Sequence, residues 1–209
     1  FLDELPEFKR SVLEVMRQPL EDRQVTISRS RLSVEYPASF MLIASMNPCP
    51  CGFYNHPEKE CICGPGIVQK YLSKISGPLL DRIDLHVEVT PVNFNELSSL
   101  QLAEKSESIR ARVISAREFQ DRRFEGQSAL HCNAQMSPNM VRNVCEIDDA
   151  GRALIKKAME KLGLSARAYD RILKVSRTIA DLAGSECIEL PHLAEAIHYR
   201  SLDRENWAG

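Results

Sequence analysis

The sequence predicts an α/β segment organised on a parallel sheet, followed by an all-helical bundle. Phe1-Leu2 runs directly into Asp3-Glu4, the pattern of a buried strand that emerges with an acidic tip. Phe40 to Met46 is a continuous apolar run between Pro37 and Pro48, as expected of a second buried parallel strand. After Pro91 the strand patterns stop and the rest has helical spacing, which puts a boundary near residues 92 to 100. The expected division is an α/β part over residues 1–95 and a helical part over residues 96–209.

Composition narrows the function classes. With 44% hydrophobic and 27% charged residues, the 209-residue chain has the balance of a globular protein. Neither a membrane-length apolar run nor a secretory leader pattern is visible. A formal net charge of −2 means that any nucleic-acid contact must come from a local basic cluster. The 7 cysteines, odd in number and unevenly spaced, argue against a disulfide framework and for a reducing, cytoplasmic setting.

The elements follow in order. Leu5 to Arg17 reads as a helix with Pro6 in its first turn, the apolar stripe Leu5, Phe8, Val12 and Met16, and Pro19 as its end. From Gln24 to Phe40 the period changes to two. Val25 and Ile27, then Leu32, Val34 and Tyr36, alternate around Ser28-Arg29-Ser30-Arg31, which predicts a β-hairpin with a basic tip. A solvated turn is the plainer reading of those two arginines. The apolar run from Phe40 closes on Asn47-Pro48, and an amide at the carboxyl end of a central strand is placed to meet a ligand or simply to start a turn.

Cys49-Pro50-Cys51 and Cys61-Ile62-Cys63 bracket a polar loop, Gly52 to Glu60. Four thiolates grouped in this way satisfy a tetrahedral Zn²⁺ ion, with His56 as an alternative ligand; free thiols and disulfides are the competing readings. Gln69 to Ile75 is a short helix, and Leu85, Val87 and Val89 alternate as a strand closed by Pro91. Arg82, between Asp81 and Asp84, forms a local salt bridge or is presented to a phosphate in trans.

The helical part begins with a long charged helix, Ala103 to Phe124, whose inner face is Ile109, Val113, Ala116 and Phe119. A loop over Gly126–Met136 follows. Three capped helices come next: Ser137-Pro138 to Val144, Asp148 to Gly163, and Ser165 to Gly184. Pro191 opens a last helix with Leu193, Ala194 and Ile197 inward. Cys132, Cys145 and Cys187 have no paired spacing.

Taken in this order, the motifs resemble the AAA+ ATPases of the magnesium-chelatase-like ComM/YifB family, with the MCM helicases as more distant relatives. The resemblance covers essentially the whole chain, from Walker B onward. It implies the carboxy-terminal part of an AAA+ parallel-sheet core followed by a helical lid bundle. It further implies that Asp3 holds the Mg²⁺ of ATP and that Glu4 polarises the attacking water, as phosphoryl transfer requires of adjacent carboxylates. Asn47 resembles sensor 1, Arg82 an arginine finger acting on the neighbouring subunit of a ring (a hexamer), and Arg167 the sensor 2 arginine. The hairpin is similar to those that touch DNA in helicase relatives, which makes Arg29 and Arg31 the expected phosphate contacts. The zinc loop would be structural. No P-loop is present in the 209 residues, so they are expected neither to bind ATP tightly nor to hydrolyse it by themselves. A magnesium-chelatase subunit and a non-catalytic zinc-stabilised interaction module are the alternatives.

Overall fold

The computed structural model describes residues 1–92, 104–127 and 130–200. They form two compact units, one over residues 1–83 and one beginning at Asp84. The boundary expected between residues 95 and 96 lies outside the described residues.

In the first unit Leu2 and Ala44 form one parallel bridge. The Leu2 amide donates to the Ile43 carbonyl, the Ser45 amide to the Leu2 carbonyl and the Leu5 amide to the Ser45 carbonyl, each at 2.9 Å. This is the only parallel pairing among the described residues, so the expected parallel sheet is present as a single bridge. The Phe40–Met46 run, expected as a buried strand, is correspondingly open, with Met41 81% exposed and Phe40 and Ile43 about half exposed. A strand with one neighbour keeps a free edge and uncovered faces.

The chain leaves the bridge through Glu4, held in the left-handed region at φ 52°, and enters a 3-10 turn, Leu5–Glu7. The single helix expected from Leu5 to Arg17 is instead two, α1 (Arg10–Val15) and α2 (Arg17–Asp22), broken at Met16. Pro19 does not end a helix. It is the third residue of α2, where the amide that proline lacks has no intrahelical acceptor in any case. The left-handed Arg23 (φ 57°) ends α2.

β1 (Gln24–Arg29) and β2 (Leu32–Pro37) then pair antiparallel, with Arg29 opposite Leu32 and Ser30-Arg31 as the turn. α3 (Pro65–Leu72) starts before the Gln69 expected from the sequence. The Ser76 hydroxyl caps the short α4 (Gly77–Leu80) by accepting from the Leu79 amide at 3.3 Å. Leu5, Leu13, Ile75, Leu79 and Leu80 form a small core, with Leu2, Leu20, Ala44 and Met46 packed on it.

The second unit is helical among its described residues. The strand expected over Leu85–Val89 is not formed. Leu85, Val87 and Val89 are exposed, while His86 is buried and its amide donates to the Tyr199 carbonyl at 2.8 Å. α5 spans Ser106–Arg123; the expected start at Ala103, and Ser128-Ala129 of the expected loop, lie outside the described residues. Of the predicted inner face of α5, Ile109 and Val113 are exposed, and burial is at Ala116 and Gln120. The Gly126–Met136 stretch holds a 3-10 turn, Asn133–Gln135.

α6 (Pro138–Val144), α7 (Asp149–Leu162) and α8 (Ala166–Leu182) start where Ser137, Asp148 and Ser165 accept backbone N–H bonds at 3.4, 2.7 and 3.1 Å. Gly163, at φ 63°, closes α7. α9 (Leu190–His198) packs so closely on α7 that a Cβ on Gly151 would stand 2.7 Å from Leu193 Cδ1. Among the described residues, no helix is long and apolar enough to cross a membrane.

Candidate functional site

The acidic tip is positioned by the Leu2–Ala44 bridge. Asp3 Oδ1 accepts from the Glu4 amide at 3.0 Å and from the Ser45 hydroxyl in a short hydrogen bond. Among the described residues Oδ2 takes no hydrogen bond, and Asp3 and Glu4 are both exposed. Glu4 is a non-glycine residue at φ 52°, a strained position of the kind that occurs at functional sites. Ser45 is two residues before Asn47, so one extended segment holds Asp3 and carries the exposed Asn47. Tyr71 of α3 is buried against this segment. Burial, and then the Glu7 and Glu4 carboxylates, push its phenol up, and a hydrogen bond with the Asn47 backbone opposes them.

Arg82 follows α4 in the same unit. Its guanidinium is ion-paired with Glu21 of α2, and Nη1 donates to the Pro78 carbonyl at 2.6 Å. The partner is thus distant in sequence, while Asp84 accepts from Arg171 of α8 within the second unit. Arg29 and Arg31 stand exposed at the hairpin end, below a Ser28–Ser33 hydroxyl pair at 2.9 Å. Both hairpin faces are largely open. Arg167 is exposed in the first turn of α8, in the second unit.

Cys49, Cys51, Cys61 and Cys63 converge, with all four sulfurs within 4.8 Å of one another. The measured pairs are 3.3 Å (Cys49–Cys51), 3.5 Å (Cys51–Cys61) and 3.7 Å (Cys49–Cys61). Four sulfurs about 2.3 Å from one Zn²⁺ ion at tetrahedral angles stand about 3.8 Å apart, and a disulfide needs about 2.05 Å. The cluster therefore fits a tetrathiolate ion and not a pair of disulfides. The Tyr54 amide donates to Cys49 Sγ at 3.3 Å, the kind of contact that stabilises a metal-bound thiolate.

A backbone hydrogen bond from Phe53 holds Cys51 down to about 6. For Cys61 the backbone at Cys63 pulls down, but burial and the neighbouring thiols win and push it up to about 12. Cys63 is raised, first by burial. Crowded thiols of this kind resist ionising together unless a cation compensates them. His56 is outside the cluster, because its Nδ1 accepts from the Glu58 and Lys59 amides at 3.1 Å each. Cys49 also belongs to a second small core with Val68, Tyr71 and Leu72.

Comparison with known proteins decides the relationship. Residues 1–97 match the family described as magnesium chelatase, subunit ChlI, and residues 103–200 match its C-terminal counterpart. The chain is 44% identical to competence protein ComM of Haemophilus influenzae over 205 residues, which is 98% of this chain and 39% of that protein. The chain belongs to the magnesium-chelatase-like ComM/YifB family. Its identity to YifB of Escherichia coli is 41% over the same shares of the two chains. To Mb2921c of Mycobacterium bovis it is 35%, over 96% of this chain and 39% of that one. The chain thus spans about two fifths of the length of these relatives.

In this ComM/YifB chain, sequence reasoning missed three residues that hold the expected site residues: Ser45 on Asp3, Glu21 on Arg82, and Tyr71 at Asn47. Ser45 left a trace, as a hydroxyl within an apolar run. Glu21 left none, since its partner is remote in sequence. A buried ionic network in the second unit was also missed. Asp181 accepts from Arg123 at 2.6 and 2.8 Å, from Asn133 at 2.7 Å and from Arg177 at 3.0 Å. Burial pushes the Asp181 carboxyl up, but hydrogen bonds from Arg123 and Asn133 and the two guanidinium charges outweigh it, so the net shift is downward.

Proposed function

We propose that this chain is part of an ATP-driven AAA+ motor of the ComM type, a DNA helicase or branch-migration protein that works as a cytoplasmic ring, a hexamer by its resemblance. Residues 1–95 would belong to the ATPase core and residues 96–209 to the lid. The observation that carries the reading is the Leu2–Ala44 bridge with the Ser45–Asp3 hydrogen bond, which sets two carboxylates beside the segment that ends in Asn47. Bound Mg-ATP supplies the transferable γ-phosphoryl group and the metal's charge. Asp3 suits the metal, since its Oδ2 is available as an oxygen ligand. Glu4 orients the attacking water and takes its proton, and Asn47 donates a hydrogen bond that fixes water and γ-phosphate. Arg82 reaches the nucleotide of the neighbouring subunit, and Arg167 couples the lid to it.

The exposed Arg29 and Arg31 hold DNA phosphates, and repetition around a ring turns two arginines into a basic belt. Cys49, Cys51, Cys61 and Cys63 hold a structural Zn²⁺ ion, supported by their sulfur separations. The family descriptions favour a second reading, a chelatase-type subunit that drives metal insertion.

Glu4→Gln, made in the protein at its relatives' full length, tests the proposal. The expected result is a loss of ATP hydrolysis by about a hundredfold or more with nucleotide binding retained. Hydrolysis at the unsubstituted rate refutes the assignment. Stimulation by DNA separates the motor from the chelatase reading, for which DNA has no effect.

A further inference from the structure

Arg82 is not presented to solvent. Its side chain is 9% exposed, and its guanidinium is taken by Glu21 and by the Pro78 carbonyl. Its Nε is buried without a hydrogen-bond acceptor, so this pose leaves part of the guanidinium fork unsatisfied. The helix before it, α4, meets the α1–α2 pair at its end, where Glu21 takes Arg82. Beneath that contact Leu13, Leu20, Leu79 and Leu80 share one core. Glu21 lies on the last turn of α2, which passes through the left-handed Arg23 directly into β1 and the hairpin that carries Arg29 and Arg31.

We propose that Glu21 is a positioning residue for Arg82. It keeps the guanidinium on its own protomer, and ring assembly on DNA exchanges that carboxylate for the γ-phosphate of a nucleoside triphosphate on the neighbouring copy. This rests on the reading of Arg82 as the residue that acts in trans. A terminal phosphate offers more charge and more acceptor oxygens than one carboxylate, so it wins the fork once it is within reach. Until then the Glu21 pair lowers the fraction of Arg82 that is competent, and DNA on the hairpin has a lever on that fraction, because hairpin and Glu21 share a continuous element. The consequence is restraint of hydrolysis in the absence of DNA.

Glu21→Gln and Arg82→Ala, in the protein at its relatives' full length, test the proposal through ATP hydrolysis measured with and without DNA. Removing the charge of Glu21 is expected to raise the DNA-free kcat by about three- to tenfold, the scale of a partly exposed ion pair, and to shrink stimulation by DNA by the same factor. KM for ATP is expected to stay within about twofold, since the substitution is remote from the enzyme's own nucleotide. A merely structural role for Glu21 would instead lower the rate and the melting temperature together. A DNA-free rate in Glu21→Gln at or below the unsubstituted value, with Arg82→Ala inactive, overturns the role of Glu21 alone. Arg82→Ala at the unsubstituted rate overturns the reading of Arg82 and this proposal with it.

Discussion

Asp181→Asn is expected to be the most destabilising single charge change in the helical unit. Asp181 is fully buried and is ion-paired with two arginines, of which Arg177 is 3% and Arg123 19% exposed. Asparagine keeps the volume and one acceptor oxygen but removes the negative charge, leaving two guanidinium groups side by side. Arg177 retains the Ser185 and Glu186 carbonyls at 2.5 and 2.8 Å, and Arg123 retains Asn133 at 2.8 Å, so neither is left without an acceptor. Breaking a buried pair in this way costs about 3–5 kcal/mol, and those remaining acceptors put the cost near the lower end. For a chain of this size that corresponds to a fall of roughly 6–20 °C in the melting temperature.

Urea denaturation followed by far-ultraviolet circular dichroism measures the change, because the helices of the second unit dominate that signal. Replacing the carboxylate and both arginines with apolar side chains, Asp181→Leu with Arg177→Met and Arg123→Met, is expected to recover part of the loss. The same carboxylate sets an acid limb. Its folded pKa lies below the unfolded value, so its contribution is present above about pH 4 and is lost as pH falls from there through the lowered folded value. Asp181→Asn should flatten that limb. A destabilisation under about 1 kcal/mol, or an acid limb unchanged by the substitution, would refute the account of Asp181 as the charge that holds this core together.

Protein purified under reducing conditions is expected to carry about one zinc ion per chain, measured by elemental analysis, and only a trace would remove the metal site. Cys51→Ser should lose that metal and lower the melting temperature, whereas Cys187→Ser, at an exposed position outside the cluster, should leave metal content unchanged. Arg29→Ala with Arg31→Ala is expected to weaken DNA binding and to flatten its dependence on salt by about one unit of logarithmic slope for each phosphate no longer neutralised. Unchanged affinity and slope would count against the hairpin as the DNA-binding element.

The helix caps were legible because each is a local event: Ser137, Asp148 and Ser165 satisfy amides within three residues of themselves. The hairpin was legible for the same reason, its period-two pattern and its turn being adjacent in sequence. The cysteine cluster was legible from spacing, since two C-x-C pairs need only the loop between them to close. Burial was less so. The Phe40–Met46 run reads as core because its residues are apolar, yet apolar composition says nothing of how many neighbours a strand finds. In α5, Ile109 and Val113 keep helical spacing, yet among the described residues burial begins at Ala116. Least legible were the pairs formed across long sequence separations: Glu21 meets Arg82 beside the candidate site, and Arg123 meets Asp181 in the helical unit, only after the chain has folded.

Asp3-Glu4 and Arg82 flank one small core, and this constrains how they can move. Leu2 and Leu5 flank Asp3-Glu4, Leu79 and Leu80 precede Arg82, and Leu13 and Leu20 lie on the helices that carry Glu14 and Glu21. Interiors packed to this density do not deform smoothly, so a displacement of α2 reaches α4 and the acidic strand as a repacking of the same leucines. A core substitution would therefore disturb the acidic tip and Arg82 together. Glu21 stands apart, because it is half-exposed and touches Arg82 through charge, so its side chain can release the arginine while the leucines stay in place. The strained Glu4 lies at the other end of that core, between the Leu2 bridge and the buried Leu5. Strain at the carboxylate and an incompletely satisfied guanidinium at Arg82 are then two local costs supported by a single packed cluster. Under the function proposed above, such an arrangement suits residues whose partners come from elsewhere, an attacking water for Glu4 and a neighbouring copy's phosphate for Arg82.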